Sequence, residues 1–159
     1  MSDHLVLRVA TAADAAALAC TIAAAFEQYR GKLQPESGAF LETAEAIAAE
    51  LARDSGAIVA ERNGTMVGCV MVRLEEGDLY FGRLSVLPSE RGRGIARRLV
   101  EAVEGEARRR ELGGVRLGVR VVLTDNQRFF TSLGYAEYSR EAHPGFDYPT
   151  SINMRKALR

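Results

Sequence analysis

Val86-Leu87-Pro88-Ser89-Glu90-Arg91-Gly92-Arg93-Gly94-Ile95-Ala96 contains the end of an apolar strand, a proline stop, a turn with two glycines and two arginines, and the start of a helix. A helix N-terminus leaves its first four N–H groups without partners, and the helix dipole favours negative charge there. Glycine lets a ligand reach the main chain with no Cβ between them, and the small Ala96 keeps the first turn close to whatever lies above it. The stretch therefore makes a cradle for a phosphate or diphosphate, with Arg91 and Arg93 available for charge-assisted contacts. It is neither a phosphate loop nor a dinucleotide turn, since Gly92 and Gly94 supply only the first half of Gly-x-Gly-x-x-Gly. Taken alone, the same residues also describe a glycine-relieved strand-to-helix turn with solvated arginines.

Downstream, Ile95, Ala96, Leu99, Val100, Val103 and Ala107 recur at helical spacing and predict one long helix over 94–112. Gly113-Gly114 ends it, and 115–119 reads as a buried strand. Thr124 or Asp125 opens a short helix through Ser132, Leu133-Gly134-Tyr135 turns into a strand reaching about Arg140, and 151–156 forms the last strand. Upstream, the strands 57–61 and 66–74 are joined at Asn63-Gly64, a pair suited to a tight hairpin. A turn over 75–78 leads into the strand 79–86. The chain opens with a strand over 4–9 and a helix capped by Thr11, whose apolar face includes Ala15, Leu18, Ile22 and Phe26. A loop over 31–38 and a second helix from about Phe40 to Arg53 follow. The order predicts a mixed α/β sheet with helices on its faces, in a single domain spanning 1–159.

At 159 residues, 47% hydrophobic and 26% charged, the composition excludes a disordered chain, a collagen-like fibre and a disulfide-stapled miniprotein. Twenty-one basic residues balance 21 acidic ones, so no global field draws the chain to nucleic acid or to acidic membranes. The balance hides an asymmetry of −4 over 1–56, −2 over 57–90 and +6 over 91–159, which offers local positive charge to an anionic ligand. Basic and aromatic residues do not interleave along a strand as a nucleic-acid face requires. Cys20 and Cys69 read as small core hydrophobes, with no metal-ligand spacing. Asp3 stands where a leader would carry basic charge, and no apolar run of ~18 residues occurs. The expected location is cytoplasmic.

The segment 84–99 resembles the acyl-CoA-binding signature of the GNAT N-acetyltransferase superfamily, Arg/Gln-x-x-Gly-x-Gly/Ala after a strand ending in Val-x-Pro. It is met here by Arg91, Gly94 and Ala96. A second signature appears as Asn126, Phe129-Phe130 and Leu133-Gly134-Tyr135, and the opening Leu7-Arg8-Val9-Ala10-Thr11 with Asp14 also looks like the family's start. The resemblance implies a GNAT-like, mostly antiparallel central sheet of about seven strands with about four helices on its faces. It also implies acetyl-CoA as acyl-donor co-substrate, no metal, and a small-molecule or peptide amine acceptor. The donor would lie where the fourth and fifth strands splay apart. The main chain of Leu84, Ser85 and Val86 would line the pantetheine arm, and the Val86 N–H would polarise the acetyl carbonyl. Arg91, Gly92, Arg93, Gly94, Ile95 and Ala96 would hold the diphosphate, with Asn126 and Phe129 bordering the distal pantetheine and the thiol. A neutral amine would attack the thioester directly in a ternary complex. Similar proteins also pair last strands between subunits, so a homodimer is a candidate assembly.

One departure is Phe130, at the position where the family often has a tyrosine that protonates the leaving thiolate. Tyr135, Tyr138 and Tyr148 are candidate stand-ins, and the missing tyrosine motivates an alternative function as a non-catalytic acyl-CoA-binding module. Asp78 and Glu76 are candidates for drawing the amine proton, although hairpin carboxylates are commonly just solvated. His143, in the loop before the last strand, is another candidate. Arg83 and Arg73 are placed to meet an acidic acceptor or simply to face water, and Arg108-Arg109-Arg110 suits the negative end of a helix.

Overall fold

Asn63 and Gly64 have φ of 53° and 78°, the left-handed pair that turns β2 (Gly56–Arg62) tightly into β3 (Thr65–Glu75). Glu76 and Gly77, at 50° and 84°, repeat the device between β3 and β4 (Asp78–Val86). The structure, a computed structural model, describes residues 4–53 and 55–158; Asp3 lies outside them. β1 (Leu5–Val9), β5 (Gly114–Arg120), β6 (Ala136–Glu141) and β7 (Ser151–Ala157) complete a seven-stranded sheet in the order β1-β2-β3-β4-β5-β7-β6. Every neighbouring pair is antiparallel except β4 and β5. The parallel pair requires a crossover, and α3 (Ile95–Arg109) supplies it.

Strand alternation sends side chains to two cores. On one face Val72, Leu79, Phe81, Val115 and Leu117 pack with Ile95, Leu99 and Val103 of α3 and Phe130 of α4 (Thr124–Ser132). On the other, Val59, Cys69 and Met71 pack with Leu18 and Ile22 of α1 (Ala15–Phe26) and Ile47 of α2 (Ala44–Leu51). Gly68 fixes how closely α3 seats. A Cβ there would come within 2.9 Å of the Ser85 carbonyl and 3.2 Å of both Ile95 and Leu99.

Two expectations change. The second helix starts at Ala44 because Thr43 accepts the Ala46 N–H at 3.0 Å and caps it; a separate 3-10 turn covers Gly38–Leu41. Cys20 is exposed on α1, whereas Cys69 is buried and its thiol is pushed up to about 12 by that burial. β7 lies between β5 and β6, and β6 is the edge of the sheet. Among the described residues no helix is long and apolar enough to cross a membrane.

Candidate active site

β4 and β5 stay in register only through Leu79–Val115, Tyr80–Arg116 and Phe81–Leu117, and beyond these pairs no ladder joins them. The cause lies on the other side of β4. Cys69 pairs with Ser85 but Met71 pairs with Gly82, so β4 carries an extra residue, and Arg83 takes φ +54°. A left-handed residue other than glycine costs of order 1–3 kcal/mol and persists only where its surroundings hold it. The bulge shifts the parity of the strand. Leu79 and Phe81 belong to the core under α3, and so, three residues further on, do Leu84 and Val86. The Leu87 N–H donates to Val67 on β3 at 2.9 Å, so alternation sends the Val86 N–H to the opposite edge, into the gap.

The gap opens a cleft of about 1030 Å³, at the top of the ~300–1,000 Å³ usual for small-molecule sites. The N-terminus of α3 forms one wall. Gly92 and Gly94 both have φ +79°, and a Cβ at either would meet nothing within 4 Å. The first α3 rung joins the Arg98 N–H to Gly94 at 3.1 Å, which leaves the N–H groups of Ile95, Ala96 and Arg97 ahead of the ladder. Open space over unpartnered N–H groups at a positive dipole end fits a diphosphate. Arg91 donates to the Ala25 carbonyl at 3.0 Å, tying this turn to the last turn of α1.

The predicted binding residues Leu84, Val86, Arg91, Gly92, Gly94, Ile95 and Ala96 all line this cleft, as do Asn126 and Phe129 of α4. The Ser85 side chain is buried away from it, its Oγ donating to the Arg83 carbonyl at 2.8 Å, so only its main chain is available to the arm. Arg93 does not line the cleft itself but pairs at 3.5 Å with Glu90, which does.

Asp78 is not placed to act as a base. It is 2% exposed and outside the cleft, and Arg116 and Arg155 grip it at 2.5 and 2.7 Å. The hydrogen bond from Arg155, then that from Arg116, hold its carboxyl below the usual range. Glu76 pairs with Arg116 at 3.1 Å, also outside the cleft. Tyr135 is equally committed, its hydroxyl bonded to buried Glu104 at 2.9 Å and pushed up by burial. Tyr138 and Tyr148 are exposed and line no part of the cleft. Phe130 is buried edge-on against Phe81 at 5.9 Å and Tyr135 at 6.4 Å, and still reaches the cleft.

His143 does line the cleft. Burial, then the charge of Arg120, lowers its pKa and favours the neutral ring. Arg83 also lines the cleft and pairs with Glu42 at 3.3 Å, while Arg73 lies outside it, stacked on Tyr80 at 4.1 Å. Sequence reading did not pick out Tyr29, Tyr80 and Arg120 as site residues. The Tyr80 hydroxyl lies 3.1 Å from where a Gly118 Cβ would stand, and burial raises its pKa. Tyr29 accepts a bond from Asn126 at 3.2 Å across the cleft. Gly118, one residue past the last β4–β5 pair, leaves the room that the Tyr80 hydroxyl takes.

Residues 21–135 match the sequence model of the Acetyltransferase (GNAT) family. The chain belongs to that family. An IAA acetyltransferase of Azospirillum brasilense is 32% identical over 134 residues, covering 83% of this chain and 85% of that protein. Among solved structures, the PaiA N-acetyltransferase of Thermoplasma acidophilum in complex with coenzyme A superposes with a TM-score of 0.81 at 18% identity, covering 98% of this chain and 99% of that one. The ribosomal-protein-S18-alanine N-acetyltransferase of Escherichia coli gives 0.73 at 18% identity, with 98% and 94% covered. In this GNAT acetyltransferase, residues of both sequence signatures, Gly94 from the first and Asn126 from the second, meet on one cleft.

Proposed function

We propose that the chain transfers the acetyl group of acetyl-CoA to a primary amine by direct attack, with both substrates bound together. The observation that carries this is the parting of β4 and β5 after Phe81, which opens one edge of β4 beside the glycine-relieved start of α3. The N–H groups of Ile95, Ala96 and Arg97, with Gly92 and Gly94, receive the diphosphate, and Arg91 adds positive charge. The Val86 N–H faces the thioester oxygen and favours the charge that develops there during attack. Asn126 and Phe129 border the pantetheine arm from α4.

His143 accepts the amine proton, because it is the cleft residue whose surroundings favour the neutral imidazole. The thiolate leaves without a tyrosine at position 130, as a thiol of ordinary pKa near ~8.5 is a tolerable leaving group. The remaining rate advantage comes from holding nitrogen and carbonyl carbon in near-attack geometry. The test is thiol release from acetyl-CoA across a panel of primary amines, with mass spectrometry of the products. Acetylation of at least one amine is expected. Acetyl-CoA binding with no turnover on any amine would instead leave a binding module.

A further inference from the structure

The far wall of the cleft is built by the loop 31–38, and that loop organises two guanidinium groups. Arg120, at the end of β5, donates to the Pro35 carbonyl at 2.8 Å and to the Glu36 carbonyl at 3.5 Å. A guanidinium has five N–H donors, so most of its capacity stays open, and no carboxylate pairs with it among the described residues. Arg83, in the β4 bulge, lines the same cleft, near enough for its charge to act on Arg120. Its Nη2 takes the space above Gly38, where a Cβ would come within 2.8 Å, while Nε points to Glu42. Glu36, the carboxylate nearest Arg120 along the loop, directs both oxygens at the Gly31 N–H, at 3.0 and 3.2 Å. Burial, then the like charge of Arg83, lowers the Arg120 pKa against a smaller opposing pull from Glu36.

Phe26 and Tyr29, edge to face at 5.7 Å, and buried Leu33 supply apolar surface beside the two arginines. The geometry points to an acceptor that carries a carboxylate and an apolar body beside its amine, the carboxylate bridging Arg83 and Arg120. This rests on the transferase reading and narrows it to amino carboxylates.

The experiment compares phenylalanine with phenethylamine, which differ by the carboxylate alone, in thiol release from acetyl-CoA by the full chain. A carboxylate held by two guanidiniums should lower KM for phenylalanine by roughly ten- to hundredfold relative to phenethylamine. Arg120→Gln and Arg83→Gln should each shrink that ratio, acting on KM more than on kcat. Equal KM values in the wild type overturn the proposal. So does a ratio that survives both substitutions, or a loss that falls equally on both amines, which marks Arg120 as a loop tether. Weakened CoA binding in both variants assigns the arginines to the donor and overturns it too. If neither amine turns over, calorimetric titration with N-acetylphenylalanine and N-acetylphenethylamine decides separately. Binding selective for the carboxylate sustains the anion site and leaves the transferase reading to the wider amine panel, and equal or absent binding overturns the anion site.

Discussion

Thr150 Oγ1 accepts the main-chain N–H of His143 at 2.9 Å and also bonds the Nδ1 of the same histidine, so one hydroxyl fixes both loop and ring. The hydroxyl proton has its own acceptor in the Glu141 carbonyl at 3.4 Å. If the hydroxyl directs that proton to Glu141, Nδ1 carries the ring proton and Nε2 keeps its lone pair. This is the tautomer a base needs.

The first prediction is therefore a pH profile. A base works unprotonated, so kcat/KM, normalised to the fraction of acceptor present as neutral amine, should rise with pH through the histidine pKa and level off above it. Burial and Arg120 lower that pKa, which puts the rise below the ordinary value of roughly 6.5. His143→Gln should cut kcat/KM by roughly 10²–10⁴-fold and erase the acidic limb. Thr150→Val should cost less, because it frees the tautomer without removing the ring. An acidic limb that persists unchanged in His143→Gln would reject the assignment.

A second prediction concerns the α3 turn. Gly94 sits at φ +79°, so alanine there strains the main chain by roughly 1–2 kcal/mol but adds no charge. Glutamate adds a carboxylate where a diphosphate is proposed to lie. In calorimetric titrations with CoA, Gly94→Ala should bind measurably and Gly94→Glu should not bind at all. Unchanged affinity in Gly94→Glu would move the diphosphate elsewhere.

Asp78 leads to a third prediction, about stability. Its carboxylate is the shared partner of Arg116 and Arg155, and removing one member of a buried pair usually costs 3–5 kcal/mol. Arg155 is 36% exposed, so Asp78→Asn should lose roughly 3 kcal/mol, at the low end of that range. The folded pKa is depressed. The pair's contribution is therefore full above the ordinary carboxylate pKa of roughly 3.9 and fades as pH falls below it. Urea titrations at several pH values should show Asp78→Asn with a flatter acid dependence than the wild type. Its kcat per folded molecule should fall by less than roughly tenfold, where losing a general base costs 10²–10⁴-fold.

What the sequence made legible follows from the range of the forces involved. The hairpin at Asn63-Gly64 and the cradle at Gly92 and Gly94 are local, because positive φ is written into the residue type. The β4 bulge is local as well but disguised. Leu79 and Phe81 followed by Leu84 and Val86 break the period of two, and Gly82 between them is a residue that often marks a bulge, yet neither cue fixes which residue is the extra one. Asp78 looked like an ordinary hairpin charge because its two partners lie 38 and 77 residues away. Arg120 is the same case at greater cost to the reading, since only the folded loop 31–38 brings the Pro35 carbonyl to it. Long-range pairings of this kind carry no periodicity, so chain order alone cannot separate a solvated charge from a committed one.

The last prediction concerns Phe130, which lacks the hydroxyl that similar proteins often place there. Its ring packs against Phe81, Phe129 and Tyr135 and also borders the cleft, so it serves core and site together. Phe130→Ala removes a buried ring and should cost roughly 3–5 kcal/mol of stability. Phe130→Tyr keeps the ring and adds one hydroxyl. Because the ring reaches the cleft, that hydroxyl has water or substrate to bond, and the fold should lose less than about 1 kcal/mol. Thiol release should then hold or increase, with the increase largest for poor acceptors, where collapse toward products leans most on protonating the sulfur. A sharp fall in kcat with CoA affinity intact would show instead that Phe130 shapes the pocket and that a hydroxyl there obstructs the acyl group.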